Sequence, residues 1–166
     1  MSTGRRQASR FTTRDLVYIA VFAAAWGLIE TSLGSYLHAA RIPFRGAVLT
    51  ALGLLAALTG RCLVPQRGAL FMIAVVTALL KLLSIGGVVL SPLLAILVEG
   101  ALAELSLWPW APDPGGLQTA RWGPRCPGRG AFALAGALAT LWTIVHPFVS
   151  QGLLAGMGLL AVYEMV

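Results

Sequence analysis

The sequence predicts an all-α membrane protein: a bundle of six transmembrane helices with both termini in the cytoplasm. Three observations lead there. Of the 166 residues, 58% are hydrophobic and only 11% charged, and mean hydropathy is +0.83; soluble domains carry about 25% charged residues. A small soluble domain still exposes much of its area and could not hide this much apolar surface. Apolar stretches run for roughly 17 residues or more with one polar interruption or none, enough helix to cross about 30 Å of hydrocarbon. The arginines gather at alternate connections, a distribution that reports membrane topology. The net charge of +6 therefore does not point to nucleic acid.

The spans are expected at 16–38, 46–64, 69–85, 88–108, 131–147 and 149–164. Residues 1–15, "MSTGRRQASRFTTRD", form a basic cytoplasmic segment resembling the head of a signal peptide. The apolar stretch behind it continues past Glu30 to near His38, longer than a cleaved signal core. It is therefore the first membrane helix, and residues 16–166 make a single transmembrane domain. With the N-terminus inside, Arg5, Arg6, Arg10, Arg14, Arg61, Arg67, Arg121, Arg125 and Arg129 are cytoplasmic, whereas Arg41 and Arg45 are outside. That bias orients a multi-pass protein of the cell membrane, with the lipid bilayer as its solvent.

The longest connection, "PWAPDPGGLQTARWGPRCPGRG" (109–130), holds five of the nine prolines. Pro and Gly at this density favour turns over helix, and the loop serves as a linker or as a docking element. "SIGGVVLSP" (84–92) is either a tight outer turn or a cover for a pocket mouth; its paired glycines allow unusual backbone angles. Cys62 and Cys126 lie far apart with no C-x-x-C pair, which supports neither a zinc site nor a disulfide framework.

No phosphate loop, dinucleotide fingerprint, H-E-x-x-H or G-x-S-x-G is present. The chain is therefore read as a non-enzyme with no catalytic residue, no cofactor and no metal site. If it belongs to an active process, another chain supplies the energy. What remains are ionisable groups inside the spans, Glu30, Lys81, Glu99, Glu104 and His146, each costing on the order of 3 kcal/mol at mid-membrane if it faces lipid.

At about 1.5 Å of rise per residue, Glu30, Lys81, Trp142, His146 and Gln151 share the outer half of the bilayer, with Glu99 as a floor. These groups suit an outward-facing pocket for a small polar molecule with an aromatic or anionic part. Lys81, the only lysine, acts there as a point charge, and Trp142 as a stacking surface. Blander roles stay open. Lys81 could snorkel to the headgroups or pair structurally with Glu30, His146 could satisfy backbone carbonyls, and Trp142 could anchor the interface. Glu104, five residues beyond Glu99, lies about 140° round the helix, toward the cytoplasmic side or a partner.

The architecture resembles the S components of energy-coupling factor transporters, small six-helix membrane proteins that bind a vitamin-type substrate in their outer half. The local elements of the resemblance are the lead "TTRDLVYIAVFAA" and the small-residue pair Ala20 and Ala24 in "YIAVFAAAWG". In that family an A-x-x-x-A motif in the first helix meets a coupling transmembrane subunit. The resemblance implies a substrate-binding subunit of an ATP-driven micronutrient importer, partnered by that subunit and two ATPase subunits. Two other classes remain open on the residues: a small ion-coupled secondary transporter using Glu99 and Glu30, and a membrane enzyme or non-catalytic assembly subunit.

Overall fold

The structure is a computed structural model and describes residues 11–40, 45–83, 90–110 and 128–150. The described residues form five α-helices: α1 (Thr13–Ala39), α2 (Arg45–Leu63), α3 (Ala69–Leu82), α4 (Leu90–Leu107) and α5 (Arg129–Pro147). A 3-10 turn, Trp108–Trp110, follows α4. Among the described residues there is no strand, and the expected span at 149–164 lies outside them beyond Ser150.

Each helix starts and stops for local reasons. A reciprocal cap opens α1: the Asp15 amide donates to Thr12 Oγ1 (3.3 Å) and the Thr12 amide to Asp15 Oδ2 (2.9 Å), a capping box with Asp in place of Glu. Gly68, at φ +86°, breaks the chain ahead of α3, a backbone angle that suits glycine. Pro147 lies within the last turn of α5, where its missing amide weakens continuation.

The helices close into a ring. α1 packs on α2 and α3, α4 joins α3 to α5, and α5 returns to α2. Small residues set the spacing, because in lipid helices associate by close packing rather than by hydrophobic drive. Ala131, Ala135 and Ala139 form the buried face of α5. Gly53 leaves room for the Trp26 ring, and Gly100 lies against Ala74. The core comprises Ile19, Trp26, Leu54, Leu70, Ile73 and Ile96 with their neighbours.

The outside is apolar. Val21, Leu28, Leu55, Leu79, Leu105, Leu141 and Ile144 are exposed, and Thr13–Leu37, Arg45–Leu63 and Arg129–Ser150 are long and apolar enough to cross a membrane. So much bare hydrocarbon on membrane-length helices belongs against lipid. The chain is a membrane protein.

Contacts fix the relative directions of the helices. At one end Gln66 Nε2 donates to Asp15 Oδ2 (2.9 Å) and the Gly68 amide to Glu104. Toward the other, Lys81 meets Glu30 and His146 meets Ser91. Successive helices therefore run antiparallel.

α3 has only 14 residues, about 21 Å of helix against roughly 30 Å of hydrocarbon. At least one of its ends must stop short of water, so its terminal amides and carbonyls need partners from the protein. The start of the helix has them. Glu104 of α4 accepts from the amides of Gly68 (2.7 Å), Leu70 (3.0 Å) and Phe71 (3.4 Å) at the start of α3; in the last turn Lys81 donates to the Glu30 carbonyl of α1.

One expectation is corrected. Cys62 is disulfide-bonded, its partner lying outside the described residues, whereas the sequence suggests two isolated thiols. Spacing along the chain says nothing about a bridge between distant segments, so the pattern rule had no purchase here.

Candidate functional site

Three polar groups stand inside the ring, each held by more than one helix. The first joins α1 and α3. Lys81 Nζ donates to the Glu30 backbone carbonyl at 3.2 Å and lies 4.0 Å from Glu30 Oε2. The lysine side chain is only 18% exposed, so its ammonium turns inward and does not snorkel to the surface. Trp26, one turn before Glu30, is fully buried, with its indole beside the Glu30 carboxyl group.

The second group joins α2, α4 and α5 around Glu99, which is 4% exposed. Thr50 Oγ1 donates to Glu99 Oε1 at 2.8 Å, and Thr143 Oγ1 lies 3.2 Å from the same oxygen. The two hydroxyls are 2.9 Å apart. A carboxylate this deep needs hydrogen bonds to offset its lost hydration, and Thr50 and Thr143 provide them. No salt bridge to Glu99 occurs among the described residues. Glu30 and Glu99 lie within electrostatic reach of each other, which links the first two groups.

The third group joins α4 and α5. His146 Nε2 lies 2.9 Å from the Ser91 carbonyl oxygen and 3.5 Å from Ser91 Oγ; the shorter contact fits a ring nitrogen that carries the proton and donates. Trp142 stands edge-on to the His146 ring, 5.7 Å between centroids and 61° between planes. Its indole N–H is buried with no hydrogen-bond partner among the described residues.

The structure thus pairs Glu30 with Lys81 and Trp142 with His146, and sets Glu99 between two threonines. Gln151 lies outside the described residues. Glu104 belongs to a different place, the start of α3, where it serves as a cap. Ala20 and Ala24 are exposed on α1, flanked by exposed Val17, Val21 and Leu28.

Sequence reasoning missed Thr50, Thr143, Trp26 and Ser91. A threonine in an apolar helix commonly bonds its own i−4 carbonyl, and the Ala139 carbonyl lies 3.0 Å from Thr143 Oγ1 as the alternative acceptor to Glu99, so the residue type carries no signal of a partner on another helix. Trp26 reads as core by composition, and its proximity to Glu30 follows only from the helical i, i+4 spacing.

A ring of apolar helices of membrane length enclosing buried, multiply bonded polar groups defines an integral membrane protein. A family model described as the permease component of an ABC-type cobalt transport system matches residues 14–113, well over half of the chain. The chain belongs to this family of ABC transporter membrane subunits. No curated protein and no solved structure matches it. The family is a transporter component rather than an enzyme class, and its role within an ABC system implies partner subunits and a small substrate.

Proposed function

We propose that the chain is the substrate-binding subunit of an ATP-driven micronutrient importer of the energy-coupling factor type. It captures a vitamin or cofactor precursor in a pocket lined by Glu30, Lys81, Glu99, Trp142, His146 and Gln151. The observation that carries this reading is Glu99: a carboxylate buried between three helices, bonded to two threonine hydroxyls, with no salt bridge among the described residues. Such a group is costly in a membrane protein and by default marks a substrate pathway. Because Lys81 is already held by Glu30, the pocket favours a ligand that brings hydrogen-bond donors to Glu99, with an aromatic part against Trp142.

In this reading residues 16–166 form one six-helix domain with both termini in the cytoplasm of a plasma-membrane protein, as the arginine bias implies. The exposed Ala20–Ala24 face of α1 meets a coupling transmembrane subunit, and two ATPase subunits drive the cycle. The 109–130 loop lies on their side of the membrane. The family description makes cobalt itself a second candidate cargo. A transition metal takes several nitrogen, oxygen or sulfur ligands, and among the described residues no three His, Cys, Asp or Glu side chains gather. The organic ligand is proposed first on the chemistry of the hydroxyl-bonded Glu99 carboxyl group and the Trp142 indole.

Native mass spectrometry of the purified chain tests the proposal. One co-purified small molecule, retained by the wild type and lost from Glu99→Gln, is expected. Gradient-driven substrate flux by this chain alone in liposomes would overturn it in favour of an ion-coupled secondary transporter.

A further inference from the structure

Four oxygens from three helices converge around Glu99. Thr50 Oγ1 of α2 lies 2.8 Å and Thr143 Oγ1 of α5 lies 3.2 Å from Glu99 Oε1 of α4. The two hydroxyls are 2.9 Å apart, and Thr143 Oγ1 is 3.0 Å from the Ala139 carbonyl oxygen. Gly46, one turn before Thr50, permits this approach of α5, since a Cβ there would stand 3.0 Å from Thr143 Cγ2.

The hydrogens do not suffice for these contacts. A carboxylate and a carbonyl only accept, and each threonine hydroxyl has a single hydrogen to donate. Two hydrogens cannot fill four contacts, so however the hydroxyls turn, oxygen lone pairs are left facing one another. The charge does not balance either. On α1 and α3, Glu30 and Lys81 answer each other at 4.0 Å, and on α5 His146 is turned to the Ser91 carbonyl. Glu30 is the charge within electrostatic reach of Glu99, and it has the same sign. One negative charge is therefore left over at a residue only 4% exposed, where an unpaired ion is costly.

We propose that this cluster is a sodium site, with Glu99 Oε1, Thr50 Oγ1 and Thr143 Oγ1 as its protein ligands. Carboxylate and neutral oxygen donors suit hard cations, and charge selects the valence. A monovalent ion neutralises the site, whereas a divalent one leaves an excess positive charge buried. Oxygens only 2.8–3.2 Å apart close more readily round sodium than round the larger potassium. The ion takes Oε1, on which both hydroxyls converge, and leaves Oε2 to donors on a transported molecule. The inference does not depend on what that molecule is.

The purified chain in detergent is melted in a graded series of sodium chloride, with choline chloride holding ionic strength constant, and in a matching potassium series. The melting temperature should rise with sodium to a plateau and respond much less to potassium. Thr50→Val should raise the half-saturating sodium concentration about tenfold, as loss of one interaction with a charged group does, and Glu99→Gln should abolish the response. Broadening of the sodium NMR line by the folded wild type reads binding directly; it should weaken in Thr143→Val, which keeps the test open if Glu99→Gln does not fold. Identical melting in sodium and choline with no line broadening would overturn the proposal and leave a proton on Glu99 as the occupant. Equal responses to sodium and potassium, or a sodium response that persists in Glu99→Gln, would overturn it as a bulk salt effect. Retention of a co-purified small molecule is scored separately, so failure of the ion site leaves the substrate reading standing.

Discussion

Glu104→Ala should loosen the start of α3. Glu104 is 4% exposed, and its two oxygens accept three backbone amides, from Gly68 at 2.7 Å, Leu70 at 3.0 Å and Phe71 at 3.4 Å. The Phe71 contact is long enough to be discounted. Two well-formed bonds to a carboxylate remain, and an orphaned buried amide costs about 1–3 kcal/mol, so the substitution should cost about 2–6 kcal/mol.

For a chain of this length each kcal/mol shifts the melting temperature by about 2–4 °C. Glu104→Ala should therefore melt at least about 4 °C lower in detergent, followed by loss of the monodisperse chromatographic peak. Glu104→Gln keeps one acceptor oxygen and should recover roughly half of the loss. Amide hydrogen exchange supplies the local readout: Leu70 should exchange faster in the alanine variant while the middle of α5 is unchanged. A melting temperature within 1 °C of wild type, with Leu70 still protected, would refute the argument that the end of α3 is cut off from water.

Further tests address the interior. Lys81→Ala should weaken capture of the co-purified molecule while leaving assembly with partner subunits intact, measured by native mass spectrometry and co-purification; unchanged retention would leave Lys81 a purely structural partner of Glu30. Thr50→Val and Thr143→Val should each destabilise by about 1 kcal/mol, and because both bond the same Glu99 oxygen, the double variant should depart from additivity by about 0.5 kcal/mol or more in a thermal cycle. Gly53→Ala should drive the Trp26 ring from its place and cost about 1–3 kcal/mol by overpacking, visible as altered tryptophan fluorescence with a lower melting temperature.

Much of the fold is legible along the chain. The five described helices fall within a few residues of the expected spans, since length, hydropathy and Pro/Gly breaks are properties of consecutive residues and the bilayer imposes one dominant constraint on them. The polar groups that matter were also conspicuous, because a charge in an apolar run has few explanations. Their partners were not. Lys81 meets Glu30 across 51 positions, and Glu99 meets Thr50 across 49 and Thr143 across 44. Glu104, expected toward the cytoplasmic side or a partner, lies at the end of the bundle where α1 begins, and there it caps a helix 33 to 36 positions earlier.

By itself the sequence determined the class of this protein: a membrane-embedded helical bundle, its five described helices in order, and a short set of interior ionisable residues. Only the tertiary structure decided which of them face each other. Helix rotation and neighbour choice depend on where small residues permit close approach, as at Gly53 and Gly100. Those contacts turned Lys81 inward onto the Glu30 carbonyl, gave Glu99 two hydroxyls from separate helices, and made Glu104 the cap of a helix too short to reach water at both ends.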